Sequence, residues 1–207
     1  MADPLYLSIW FPQTDTDGMM SRLLGVMQQF PFSPMRPGIE YLAVHPVSWI
    51  EPTVLERRFR PGVDPQEATN VAADLLHEDY AYVFEAYWDL WTRAPEASSQ
   101  AAAEQAEEPW VLQPHQVRFL AYGQEFDEGV CQQEGHIKVE LGLDSPFLQE
   151  ETALVGSPRE SVRANIHKLV AFTAAVEKNC GISGRVLWSE SEENLAQKLI
   201  ARLQGVQ

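Results

Sequence analysis

Between Tyr82 and Trp91 the side chains change character at every step: Tyr82, Phe84, Ala86, Trp88 and Leu90 alternate with Glu85, Tyr87 and Asp89. A period of two is that of a pleated strand, which sends successive side chains to opposite faces. Phe84 and Trp88 then share one face while Tyr87 and Trp91 share the other, so aromatic rings stand on both sides of the sheet. One face must cover helices. The other must be covered by the second half of the chain, by another subunit or by a ligand, because a large exposed apolar patch is unusual on a monomer.

The residues upstream supply the rest of a sheet. Leu5 to Phe11 is a buried-strand run ended by Pro12, and Asp15, Thr16 and Asp17 offer caps to a helix whose apolar face is Met20, Leu23, Leu24 and Met27. Pro31, Pro34 and Pro37 stop that helix, since proline lacks a backbone donor and biases the residue before it toward extended geometry. Strands follow from Ile39 to Pro46 and from Thr53 to Arg60, with a hairpin turn at Glu51-Pro52. Asp64-Pro65-Gln66-Glu67 combines a cap, a first-turn proline and a glutamate three residues on, which predicts a helix start. The order through residue 93 is β-α-β-β-α-β, which resembles the ferredoxin-like pattern of four antiparallel strands under two helices.

Residues 94–109 carry no large apolar side chain and no Lys or Arg, and read as an acidic Ala/Glu-rich linker or insertion. Residues 110–207 read as a second half of order β-β-α-β-α: strands at Val117–Phe126 and Gly135–Leu143, a long helix opened by Ser157-Pro158-Arg159-Glu160, a strand at Arg185–Trp188 and a last helix carrying Leu195, Leu199 and Leu203. Trp110 to Leu112 is a candidate for an extra strand. The fold class expected is α+β, a ferredoxin-like βαββαβ first half (1–93) packed with a related ββαβα second half, in a possible tandem sandwich.

Thirty acidic residues against 15 basic ones give a net charge of −15, which repels nucleic acid and anionic membrane and attracts a basic partner. Cys131 and Cys180 are too few for a disulfide framework. No secretory signal is expected at a start without basic residues, and no window approaches the roughly 18 apolar residues of a membrane helix, so the cytoplasm is the expected compartment.

Dinucleotide, phosphate-loop, nucleophile-elbow and zinc-protease motifs are absent from the sequence, as is any cysteine cluster, so neither a cofactor nor a metal is expected. Weaker constellations remain. His136, Lys138 and Glu140 alternate along one strand, placing an imidazole, an ammonium and a carboxylate on one face for binding or acid-base work. Arg58 belongs to the one basic run, Glu56-Arg57-Arg58 with Arg60, suited to a carboxylate or other anion. Tyr87 and Trp91 are candidates for a second, uncovered interface. The expected function is a noncatalytic binding or protein-interaction protein with an acidic surface, its partner a protein or small ligand and a homodimer possible. The alternative is an enzyme with an acid-base site near His136 and Glu140.

Overall fold

A computed structural model describes residues 2–13, 15–94, 110–148, 157–190 and 195–204. In chain order the elements are β1 (Pro4–Trp10), α1 (Met19–Met27), β2 (Ile39–Pro46), β3 (Leu55–Val63), α2 (Pro65–Ala73), β4 (Tyr80–Arg93), β5 (Trp110–Tyr122), a 3-10 turn (Phe126–Glu128), α3 (Cys131–Glu134), β6 (Ile137–Leu143), α4 (Ser145–Leu148), α5 (Ser157–Asn179), β7 (Gly184–Ser189) and α6 (Leu195–Gln204). The fold is mixed α+β. All seven strands belong to one sheet, ordered β3-β2-β4-β5-β6-β1-β7, and every neighbouring pair is antiparallel.

The β-α-β-β-α-β order expected from the first 93 residues is present, but the pairing is not that of a self-contained unit. β1 does not join β2, β3 or β4; it lies between β6 and β7, matching Leu7 to Val139 and to Leu187. The four strands of the first half therefore do not close a sheet among themselves. A seven-residue strand with Leu5, Leu7 and Ile9 on one side fits any ladder that offers an apolar face, and its local sequence does not say which.

Alternation along the strands sorts the sheet into two unlike faces. Leu7, Val44, Phe84, Trp88, Phe119 and Val139 point into the main core, where they meet Leu23 and Val26 of α1, Ala68 and Ala72 of α2, Ile166, Leu169 and Phe172 of α5, and Leu195 and Leu199 of α6. Burying one such side chain contributes about 1.5–3 kcal/mol. α2 starts as its sequence predicts, with the Asp64 side chain accepting the Gln66 N–H at 2.8 Å. On the opposite face only a small cluster is covered, where Phe126 and Cys131 pack on Ala43, Ala81, Val83 and Leu120.

Two expectations need correction. Trp110–Leu112 is not a separate strand, and β5 does not begin at Val117; one 13-residue strand runs from Trp110 through Pro114 to Tyr122. Proline is tolerated there because β6 pairs with β5 only from Arg118 to Ala121, which leaves Pro114 an open edge toward β6. The linker expected at 94–109 lies, after Ala94, outside the described residues.

The far end of β4 also outruns its neighbour β2 and is completed by side chains and loop. Ser33 N–H donates to Tyr87 O at 2.7 Å, the Lys168 ammonium reaches Asp89 O, and the Asn165 amide accepts from Trp91 N–H at 2.9 Å while donating to Trp91 O at 2.8 Å. Asn165 thus acts as a one-residue strand neighbour, holding α5 on the sheet edge. Among the described residues no helix is long and apolar enough to cross a membrane.

Candidate functional site

The face turned away from α1, α2, α5 and α6 carries a row of side chains that runs straight across the sheet. Arg58 pairs with Tyr41, Tyr41 with Glu85, Glu85 with Arg118, Arg118 with Glu140, Glu140 with Tyr6, and Tyr6 with Trp188. Each strand gives the row one residue, in the order cation, aromatic, anion, cation, anion, aromatic, aromatic. Six strand spacings make it about 29 Å long.

Contacts lock its ends. The Arg58 guanidinium lies 5.1 Å from the Tyr41 ring centre, and the Tyr41 hydroxyl donates to Glu56 Oε1 at 2.7 Å. Burial, then this carboxylate, pushes the Tyr41 phenol up to about 12. At the other end the Tyr6 and Trp188 rings stack with centres 4.5 Å apart, over the Lys138 ammonium at 4.5 and 5.8 Å respectively. Lys138 is only 8% exposed, so its charge must be answered locally. Glu134 answers it at 2.8 Å, with Glu140 at 4.0 Å. Arg118 pairs with Glu140 at the centre of the row.

Two concavities flank that centre. One, of about 280 Å³, is bordered by Arg36, Tyr41, Arg58, Arg60, Glu85 and Tyr87; the other, of about 300 Å³, by Tyr6, Gln116, Arg118, Glu140 and Leu143. Glu85 facing Arg118 and Tyr87 facing Gln116 form the boundary between them. Burial raises the Glu85 carboxyl against the opposing pull of Arg118 and Arg58. Arg36 is fixed within the first concavity by its two-pronged pairing with Glu40 and by stacking 3.3 Å from the Tyr87 ring centre. Gly38 makes this corner possible: at φ +76° its backbone passes so close to β3 that a Cβ would stand 2.2 Å from Val63 O.

The sequence candidates fall into three places. Lys138 and Glu140 come together at the acidic end of the row. Arg58 and Tyr87 come together around the first concavity. His136 and Trp91 lie apart from both. His136 follows Gly135, whose φ of +97° carries the chain tightly past Ile9 into β6. There its Nδ1 accepts the Phe11 N–H at 2.9 Å. Burial and the Arg22 guanidinium hold its pKa below the ordinary value, which suits a neutral acceptor. The hollow it lines with Asp15, Arg22 and Tyr122 measures about 20 Å³, room for a water molecule and no organic substrate. Trp91 is held at its backbone by Asn165, beyond the reach of β2 and away from both concavities.

Tyr6, Tyr41, Glu85, Arg118 and Trp188 escaped the sequence reading. Tyr41, Glu85 and Arg118 align through the β2, β4 and β5 registers, and Tyr6 and Trp188 join them only once β1 is inserted between β6 and β7. Among the described residues no group of three or more His, Cys, Asp or Glu is placed to hold a metal ion. No protein-family model, curated protein or solved structure matches the chain.

Proposed function

We propose that this protein is a noncatalytic binding protein that docks a folded protein partner on the face of its sheet turned away from α1, α2, α5 and α6. The observation that carries the reading is the registered row from Arg58 to Trp188. Preformed cation-aromatic and carboxylate contacts hold its arginines and aromatics in place, and those are the residue types that dominate binding energy at protein interfaces. A row about 29 Å long spans the width of a patch of the ~800 Å² per partner found in stable interfaces. The net charge of −15 steers a basic partner toward the molecule and repels nucleic acid. Both sequence halves, 1–93 and 110–207, supply strands to the face, so both take part in binding. Cys131 and Cys180 are free thiols, in keeping with action in the cytoplasm.

Affinity capture from an extract of the source cells, followed by reconstitution with the purified partner, tests this. Arg118→Glu and Leu143→Asp lie on the face at exposed positions and are expected to weaken the complex by about tenfold or more. Val170→Asp, exposed on α5, is expected to leave it intact. A complex indifferent to both face substitutions overturns the proposal, and a second copy of this chain as the captured partner replaces it with a homodimer.

A further inference from the structure

The concavity beside β3 differs in charge from the rest of this acidic molecule. Three guanidinium groups, Arg36, Arg58 and Arg60, border it against two carboxylates, Glu40 and Glu85, with Glu56 held on the Tyr41 hydroxyl beside it, so the corner is balanced in charge where the whole molecule is strongly acidic. Arg36 is committed to Glu40 and Tyr87. Arg58 is exposed and, apart from the Tyr41 ring, makes no ion pair among the described residues. Arg60 is likewise exposed at the rim. Two planar forks beside an opening of about 280 Å³ suit bidentate capture of a carboxylate, and the Tyr41 and Tyr87 rings give its carbon chain apolar walls. A phosphate dianion would meet the repulsion of Glu40, Glu56 and Glu85 with twice the charge of a carboxylate.

Resting on the docking role proposed above, we infer that this concavity is a carboxylate-binding subsite, filled by an acidic side chain or chain end of the docked partner. The two ends of the face are then opposite in preference: the β3 end takes an acidic group, and the end bearing Glu134, Glu140 and Glu190, whose Oε1 accepts the Tyr6 hydroxyl at 3.2 Å, takes basic ones. That polarity fixes the direction in which a partner lies along the row.

The test uses the full chain, with the arginine Nε–Hε signals followed by NMR. The probes are N-acetylglutamate N-methylamide, its glutamine isostere and inorganic phosphate. The glutamate probe is expected to give saturable shifts at Arg36, Arg58 and Arg60 that Arg118 and Arg185 do not share, and the glutamine isostere none. Arg58→Gln combined with Arg60→Gln is expected to weaken the probe by about tenfold or more. No saturation by about 100 mM, equal shifts at Arg118, or phosphate binding as tightly as the carboxylate overturns the subsite. Free-probe binding tighter than about 0.1 mM marks a small-acid site and overturns its assignment to a docked protein. A reconstituted complex lost with Arg118→Glu but untouched by the double arginine variant sinks the subsite alone. A complex indifferent to Arg118→Glu and Leu143→Asp sinks the docking role itself.

Discussion

The two faces of the sheet are built from the same strands and differ only in which residues of each pair point which way. On the helix side Phe84, Trp88 and Phe119 are fully buried and interlock with Phe30, whose ring centre lies 5.1 Å from Phe119 and 5.5 Å from Trp88. On the other side the neighbouring positions, Glu85, Tyr87 and Arg118, are charged or polar, and among the described residues no helix covers them. Sequence alternation thus divides labour within a single strand, with one set of residues stabilising the fold and the next set presenting a surface. Substitutions one residue apart should have unrelated consequences.

The largest effect is expected on the helix side. Trp88 has no exposed surface, so Trp88→Ala should cost about 3–5 kcal/mol in urea unfolding. A loss under about 1 kcal/mol would mean that this face is not the core. Asn165→Ala comes next. It strips the partners from Trp91 N–H and O and from Pro146 O, with an expected loss of about 1–3 kcal/mol and faster hydrogen exchange at the Trp91 amide. Unchanged exchange there would detach α5 from the sheet edge.

Acidification probes both faces together. Burial, as the largest cause, lowers the pKa of His45, His115 and His136, so the unfolded chain takes up their protons first. Their contribution is complete above about pH 6.5 and shrinks as pH falls through that value toward the folded pKa values. Unfolding midpoints should therefore drop between pH 7.5 and 6.0, and replacing all three histidines by glutamine should flatten that slope. A midpoint that rises on acidification would contradict the burial of these rings. The smallest effect belongs to the free face: Arg118→Ala breaks a half-exposed pair and should change stability by no more than about 1 kcal/mol.

Legibility in the sequence followed the range of the forces involved. Elements fixed by near neighbours were plain: the Asp64 cap, the alternation of β4, the apolar stripe Leu195, Leu199 and Leu203. The place of β1 was hidden, because its partners Ile137–Leu143 and Gly184–Ser189 lie in the second half and its own residues fit many ladders. Pro114 was misleading for a related reason, since it breaks a strand only where a neighbour needs its missing donor. Part of the candidate site was visible as residue types, Arg58 and Glu140 in the row and Tyr87 and Lys138 beside it. The alignment of Arg58 and Glu140 with Tyr6, Tyr41, Glu85, Arg118 and Trp188 depends on six strand registers at once. His136 keeps the right spacing with Lys138 but sits one residue ahead of β6, where the Phe11 amide claims its ring.

The position of β1 also sets the timing of the chain's birth. Ser8 and Trp188 touch across 180 residues of sequence, so β1 cannot complete its ladders until β7 has followed it from the ribosome. At about 5–20 residues per second that wait lasts on the order of ten seconds or more. Until β6 emerges, Leu5, Leu7 and Ile9 have neither ladder to enter. A nascent chain of this design invites a chaperone at β1, and stalling translation before residue 137 should leave that strand open to proteases while β2, β3 and β4 already pair.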